Sequence, residues 1–228
     1  MNRKLADTFA RAAGVQNGAS AAMPKKGPAR AGKKNKPGLY ARLADLYARM
    51  QEAYANCASE AGLTCKGCET NCCTSYFQHH THVEWAYLWR GLSELPEKRR
   101  NLFRQRAEQY VEQARQSIAA NALPTAMCPL NEDGLCALYA YRLMICRMHG
   151  TRNAFTLPNG TRQVFPGCAR FTALPCARDE NCPTLDRTPF YSELASLELE
   201  LQKKAGRPLP RVHLTLAEMI VLGPPALR

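Results

Sequence analysis

The chain has 228 residues, 46% of them hydrophobic and 22% charged, with 31 Lys/Arg against 19 Asp/Glu and 11 cysteines. That is enough apolar material for one packed domain or a tight pair, which excludes a wholly disordered chain. No run approaches the ~20 apolar residues of a membrane span, and no early block resembles the ~7–15-residue core of a secretory signal, so the expectation is a cytoplasmic protein with no membrane partner.

The net charge of +12 is unevenly spread: residues 1–40 carry +8 and the remaining 188 residues +4. Residues 1–37 are rich in Ala, Gly, Lys and Pro, with almost no large apolar residue after Phe9. They read as a basic disordered tail, with at most a helical turn near Leu5–Ala13. Such a tail is either a solvated extension or an electrostatic arm for an acidic protein or nucleic acid.

Residues 38–228 read as a helical cysteine-cluster domain. From Gly38, the residues Tyr40, Leu43, Tyr47, Met50, Tyr54 and Cys57 recur at steps of three and four, which predicts an amphipathic helix that Gly62 stops. Cys57 is in register with that stripe and is assigned to the core rather than to a ligand set. A cysteine-dense loop follows from Leu63 to Ser75, then an apolar and aromatic stretch from Tyr76 to Val83. Glu84 to Leu92 reads as a short helix with Trp85, Leu88, Trp89 and Leu92 on one face. Pro96 and Glu97 open a longer helix to about Ala120, with Phe103, Ala107, Tyr110, Ala114 and Ile118 inward and Lys98, Arg99, Arg100, Arg104 and Arg106 outward.

Pro124 ends that helix. Residues 128–170 alternate short apolar runs with the turns Asn131–Gly134, Pro158–Gly160 and Pro166–Gly167, which predicts short hairpins around one helical turn near Ala137–Leu143. Thr188 before Pro189 reads as a helix N-cap, opening a helix through Leu194, Leu197, Leu199 and Leu201 that ends near Gly206. Thr215 and Glu218 form a capping box before Met219, Ile220 and Val221. The fold class expected is mainly α with a small irregular β element, built as a cysteine-rich metal-cluster domain.

An odd cysteine count without an export signal argues against a disulfide scaffold, because a reducing compartment leaves thiols for metal or redox chemistry. Cys65, Cys68, Cys72 and Cys73 stand in CKGCETNCC. Two cysteines separated by two residues can turn both sulfurs toward one centre, and Lys66 and Gly67 allow a loop whose N–H groups bond thiolates. Cys72 and Cys73 are adjacent, so they serve two neighbouring centres, or one ligates while the other packs or acts as a redox thiol. Cys128, Cys136, Cys146, Cys168, Cys176 and Cys182 form the later group, and the Asn131–Gly134 turn can bring Cys136 back beside Cys128. Arg142 and Arg147 either donate to thiolates or lie solvated on the surface. His149 is either a nitrogen ligand, a hydrogen-bond donor to a ligand or a structural residue. In Gln78-His79-His80-Thr81-His82, an extended strand places His80 and His82 on one side, where Glu84 completes a divalent-ion set unless these are ordinary loop histidines.

Spacing excludes the radical S-adenosylmethionine loop, the zinc ribbon built of two CxxC pairs and the bacterial ferredoxin run. The order CKGCETNCC, then CPLNEDGLCALYAYRLMICRMHG, then Gly167-Cys168 resembles the YkgJ-type cysteine-cluster family, a zinc- or iron-chelating domain with a CxxCxxCC signature. The resemblance covers about Leu63 to Cys168. Its eight cysteines correspond to Cys65, Cys68, Cys72, Cys73, Cys128, Cys136, Cys146 and Cys168 as metal ligands. This chain has one extra residue between Cys68 and Cys72, and Leu143 where the family usually has proline. Cys176 and Cys182 lie beyond the signature.

The function expected is metal binding, with an iron–sulfur cluster or zinc as cofactor, and all-sulfur ligation suits either. The adjacent cysteine pair and the excess beyond eight incline the reading toward iron. The resemblance extends to flagellin lysine N-methylases, which would make the protein a metal-dependent modifying enzyme, although no S-adenosylmethionine-binding glycine loop or catalytic dyad is visible. The third reading is an adaptor that uses residues 1–37 as its arm.

Overall fold

The helix predicted after Gly38 runs Leu39–Ala61 (α1) and ends where Gly62 turns left-handed, φ 73°. The computed structural model describes residues 37–66 and 72–227. The helical turn and disorder expected in the tail, and Cys68, lie outside the described residues. Cys57 is buried with Leu43, Tyr47 and Met50 in the core of α1, as its place in the stripe predicts.

The next helix, His82–Ser93 (α2), starts two residues earlier than expected because the Thr81 hydroxyl accepts the Glu84 N–H and caps it. The long helix spans Glu97–Ala119 (α3), with Pro96 at the N-cap, and buries Phe103, Ala107, Tyr110 and Ala114. Ile118 is a correction: it is 52% exposed, because the buried stripe stops at Ala114 and the last turn of α3 projects beyond its partner. Chain reversal comes at Asn121, φ 54°, before Pro124 is reached.

After α3 the chain forms the hairpin Asn131–Glu132 (β1) with Leu135–Cys136 (β2), paired antiparallel through a two-residue Asp133-Gly134 turn. Both turn residues have positive φ, the mirror-image turn whose twist suits a hairpin. A single 3-10 turn, Tyr139–Tyr141, then leads into the short helix Met144–Met148 (α4). The helical turn expected at Ala137–Leu143 is therefore split, with most of the helix lying after it. Asn153–Thr156 (β3) pairs antiparallel with Arg162–Phe165 (β4) and parallel with Leu185–Asp186 (β5). Between β4 and β5 lie the short helix Ala169–Thr172 (α5) and a 3-10 turn at Pro175–Arg178.

Thr188–Ala205 (α6) ends at left-handed Gly206. Thr188 is not the N-cap: Arg187 holds that position, and the Thr188 hydroxyl is spent on the Asp186 carboxylate and the Thr156 N–H. Leu199 is also a correction, since it faces outward while Leu194, Leu197 and Leu201 are buried. The capping box at Thr215 and Glu218 is present in full and opens Leu216–Leu222 (α7).

The described residues are mainly helical with two small sheets. One core packs α1 against α4 and α6, and a second packs α3 against α7 with α2. Trp85 and Trp89 tie α2 to α7, because both indole N–H groups donate to the Met219 carbonyl, at 3.1 and 2.8 Å. No helix among the described residues is long and apolar enough to cross a membrane.

Candidate metal centre

The cysteine-dense loop and the β1–β2 hairpin are joined by the backbone. Cys128 N–H donates to the Cys73 carbonyl at 2.9 Å, and Ala137 N–H returns to Leu130 at 2.8 Å. These bonds, the Asp133-Gly134 turn and α4 bring Cys72, Cys73, Cys128, Cys136 and Cys146 onto the lining of one pocket of about 170 Å³. Phe77, His79, Tyr110, Arg142 and His149 share that lining. The Cys73 sulfur is within hydrogen-bond reach of Cys72, Cys128 and Asn131, and these donors with Arg142 hold its thiol far below the ordinary thiol range. Its partners move the other way. The hydrogen bond to Cys73 and burial raise the thiols of Cys72 and Cys128, and burial pushes Cys146 up to about 12. Close thiols that share hydrogen bonds divide in this way: the sulfur that accepts from Cys128 and Cys72 is proton-poor and its donors keep their protons, with Arg142 adding a smaller favourable charge.

Arg142 is half-buried and Arg147 is buried. Arg142 lines the pocket and donates to the Cys146 carbonyl. Arg147 is buried and directs its guanidinium at the carbonyls of Arg142, Ala140 and Tyr139, at 2.7, 2.8 and 3.4 Å, rather than at a thiolate.

A second set of cysteines surrounds Tyr54. Its hydroxyl is 3.9 Å from the Cys65 sulfur, and the neighbouring Cys65, Cys168 and Cys72 thiols join burial in raising its pKa. Cys168 is placed by a close backbone crossing, in which its N–H donates to the Gly150 carbonyl at 2.9 Å. A Cβ on Gly167 would sit 2.7 Å from that same carbonyl oxygen, and Gly167 has φ 94°. Gly167→Ala is therefore expected to cost about 2–4 kcal/mol, from left-handed backbone strain plus displacement of a backbone oxygen. Urea denaturation reads the loss.

Cys176 and Cys182 form a third group, in which burial and a hydrogen bond to Cys176 push the Cys182 thiol up to about 11. Neither touches the first pocket's lining. No disulfide is formed among the described residues.

The histidines depart from the sequence reading. His82 is buried in the first turn of α2, its Nδ1 3.0 Å from Glu198, and Glu84 points into the core. The His80, His82 and Glu84 set is thus not formed, because the helix begins at His82 and turns it away from His80. His79 is buried and its imidazole is held neutral by burial, down to about 3. His149 packs edge-on against Phe77 at 4.9 Å between centroids, and burial and Arg187 lower its pKa.

Among the described residues, no three His, Cys, Asp or Glu side chains converge closely enough to hold one ion. The donor set nevertheless suits a thiophilic metal: five sulfurs and two neutral imidazoles line one pocket, and the Asn131 side-chain amide stands within hydrogen-bond reach of the Cys73 sulfur. An amide donor of that kind is satisfied by a thiolate that keeps its charge. No family model, curated protein or solved structure matches the chain.

Proposed function

We propose that this protein binds a metal through its cysteines, as an iron–sulfur centre or as zinc. The observation that carries the reading is the gathering of Cys72, Cys73, Cys128, Cys136 and Cys146 from three sequence-remote segments around one pocket with Arg142. Cys65, Cys68 and Cys168 complete the eight ligands that the motif order implies, and Cys65 and Cys168 are neighbours across Tyr54. An iron–sulfur centre would supply one-electron transfer, whereas zinc would supply a cross-link or a Lewis acid. The chain's own residues provide the sulfurs, the compensating charge of Arg142 and an apolar wall of Phe77, Leu138 and Tyr110.

Elemental analysis and an absorption spectrum of anaerobically purified protein test the reading. A visible band that bleaches with dithionite, with iron and sulfide in equal amounts, assigns the cluster. A colourless protein with stoichiometric zinc assigns zinc, and absence of both metals overturns the proposal. Cys128→Ser is expected to lower metal content severalfold, because Cys128 touches the proton-poor Cys73. Cys57→Ser should leave metal content unchanged, since Cys57 belongs to the α1 core.

A further inference from the structure

The chain's five histidines fall into two classes. His79 and His82 are buried and His149 is half-buried, whereas His80 and His213 are exposed. These two meet across the bridge between the segment before α2 and the segment before α7. His79 N–H donates to the Leu214 carbonyl at 2.7 Å, and Leu214 N–H donates back at 3.2 Å. When an antiparallel pair exchanges both bonds, the next pair along is the non-hydrogen-bonded one, whose side chains stand closest. That next pair is His80 opposite His213. Strand alternation turns His79 into the thiol pocket and His80 to the outer face.

The two imidazole rings have centroids 4.8 Å apart at an interplanar angle of 52°. His80 Nδ1 lies 3.4 Å from the Val212 carbonyl oxygen. As an N–H donor there, Nδ1 leaves the Nε2 lone pair outward, the arrangement found for metal-ligating histidines whose other nitrogen donates to a carbonyl. An ion at about 2.05 Å from an imidazole nitrogen stands about 3.2 Å from the ring centroid. Two rings with centroids 4.8 Å apart then subtend about 97° at a shared ion, between octahedral and tetrahedral angles.

We propose that His80 and His213 form a two-nitrogen surface site for a divalent ion of the zinc and nickel class, with water filling the other positions. Imidazole is the ligand these ions prefer among neutral side chains. The site is separate from the thiol pocket and does not depend on that pocket holding metal.

The test applies the untagged full-length chain to a chelating resin charged with Ni²⁺, which reads exposed imidazoles. Wild-type protein is expected to be retained and released by imidazole. His80→Asn and His213→Asn should each elute well before it, and a Ni²⁺ titration in solution should show affinity lowered at least about tenfold, because one nitrogen cannot chelate. Cys128→Ser should be retained like wild type, which separates the result from metal binding at the thiols. Passage of wild-type protein through the resin, retention of either histidine variant equal to wild type, or early elution of Cys128→Ser would overturn the proposal. Both histidines are exposed, and matching circular dichroism spectra confirm that the variants are folded.

Discussion

Glu84→Ala is expected to remove about 3–6 kcal/mol of folding stability, the effect of leaving buried donors without an acceptor. The Glu84 carboxylate is 4% exposed. It accepts the Tyr47 hydroxyl at 2.9 Å, the Met144 N–H at 2.8 Å and the Thr81 hydroxyl at 2.9 Å. One side chain thus holds the middle of α1, the cap of α2 and the first residue of α4, which carries Cys146. For a chain of this size the loss corresponds to a fall of roughly 10–20 °C in melting temperature. Glu84→Gln keeps a carbonyl oxygen for Tyr47 and Met144 and is expected to cost only about 1–2 kcal/mol.

Wild type and Glu84→Gln also separate by pH. Burial raises the Glu84 carboxyl above its usual value, outweighing its hydrogen bonds. A group whose folded pKa is raised contributes stability that is fully present below its unfolded pKa and lost as pH rises through its folded pKa. Glutamine does not ionise, so Glu84→Gln should gain on wild type as pH rises through the folded pKa of Glu84, and lose that gain in acid. Denaturant midpoints across that range measure it, and a gap between wild type and Glu84→Gln that narrows toward low pH would contradict the assignment.

What the sequence made legible was local. The α1 stripe, the stops at Gly62 and Gly206 and the capping box at Thr215 are each specified by residues within a few positions of one another, and each is found. Features that depend on remote partners were not legible. The parallel pairing of β5 with β3 joins residues some thirty positions apart through a two-residue strand, too short to show alternation. His213 became a partner of His80 only because the segments before α2 and α7 are bridged. Glu84 had a visible signal, since Thr81-x-x-Glu84 has capping-box spacing, but nothing nearby showed that its carboxylate would turn into the core.

The candidate site divides along the same line. The resemblance joined eight cysteines from two separate sequence groups, and five of them, Cys72, Cys73, Cys128, Cys136 and Cys146, line one pocket. The separation of Cys65 and Cys168 toward Tyr54 follows from the Gly150–Gly167 backbone crossing, for which the glycines were the only trace. The arginines were read as thiolate donors or surface groups, yet Arg147 became a buried clamp on backbone, because the 139–142 turn leaves carbonyls that α4 alone cannot satisfy.

That clamp carries the other large expected effect. Arg147→Met should cost about 3–5 kcal/mol, since hydrogen bonds from a charged donor contribute about 1.5–3 kcal/mol each and three carbonyls lose theirs. The guanidinium also stands 4.6 Å from the centre of the Tyr47 ring. Arg147→Lys retains the charge but not the planar fork that reaches the three carbonyls, so it should recover less than half of the loss. The freed turn carries Tyr139, Tyr141 and Arg142, all on the pocket lining, so metal content should fall with stability in Arg147→Met. Metal content held at the wild-type level in a destabilised variant would show that the turn does not position the thiols. Tyr47 bonds Glu84 through its hydroxyl and faces Arg147 with its ring, so the two sites share a partner. A Glu84→Gln and Arg147→Lys double variant should therefore depart from additivity by about 0.5–3 kcal/mol, whereas independent sites would add within about 0.5 kcal/mol.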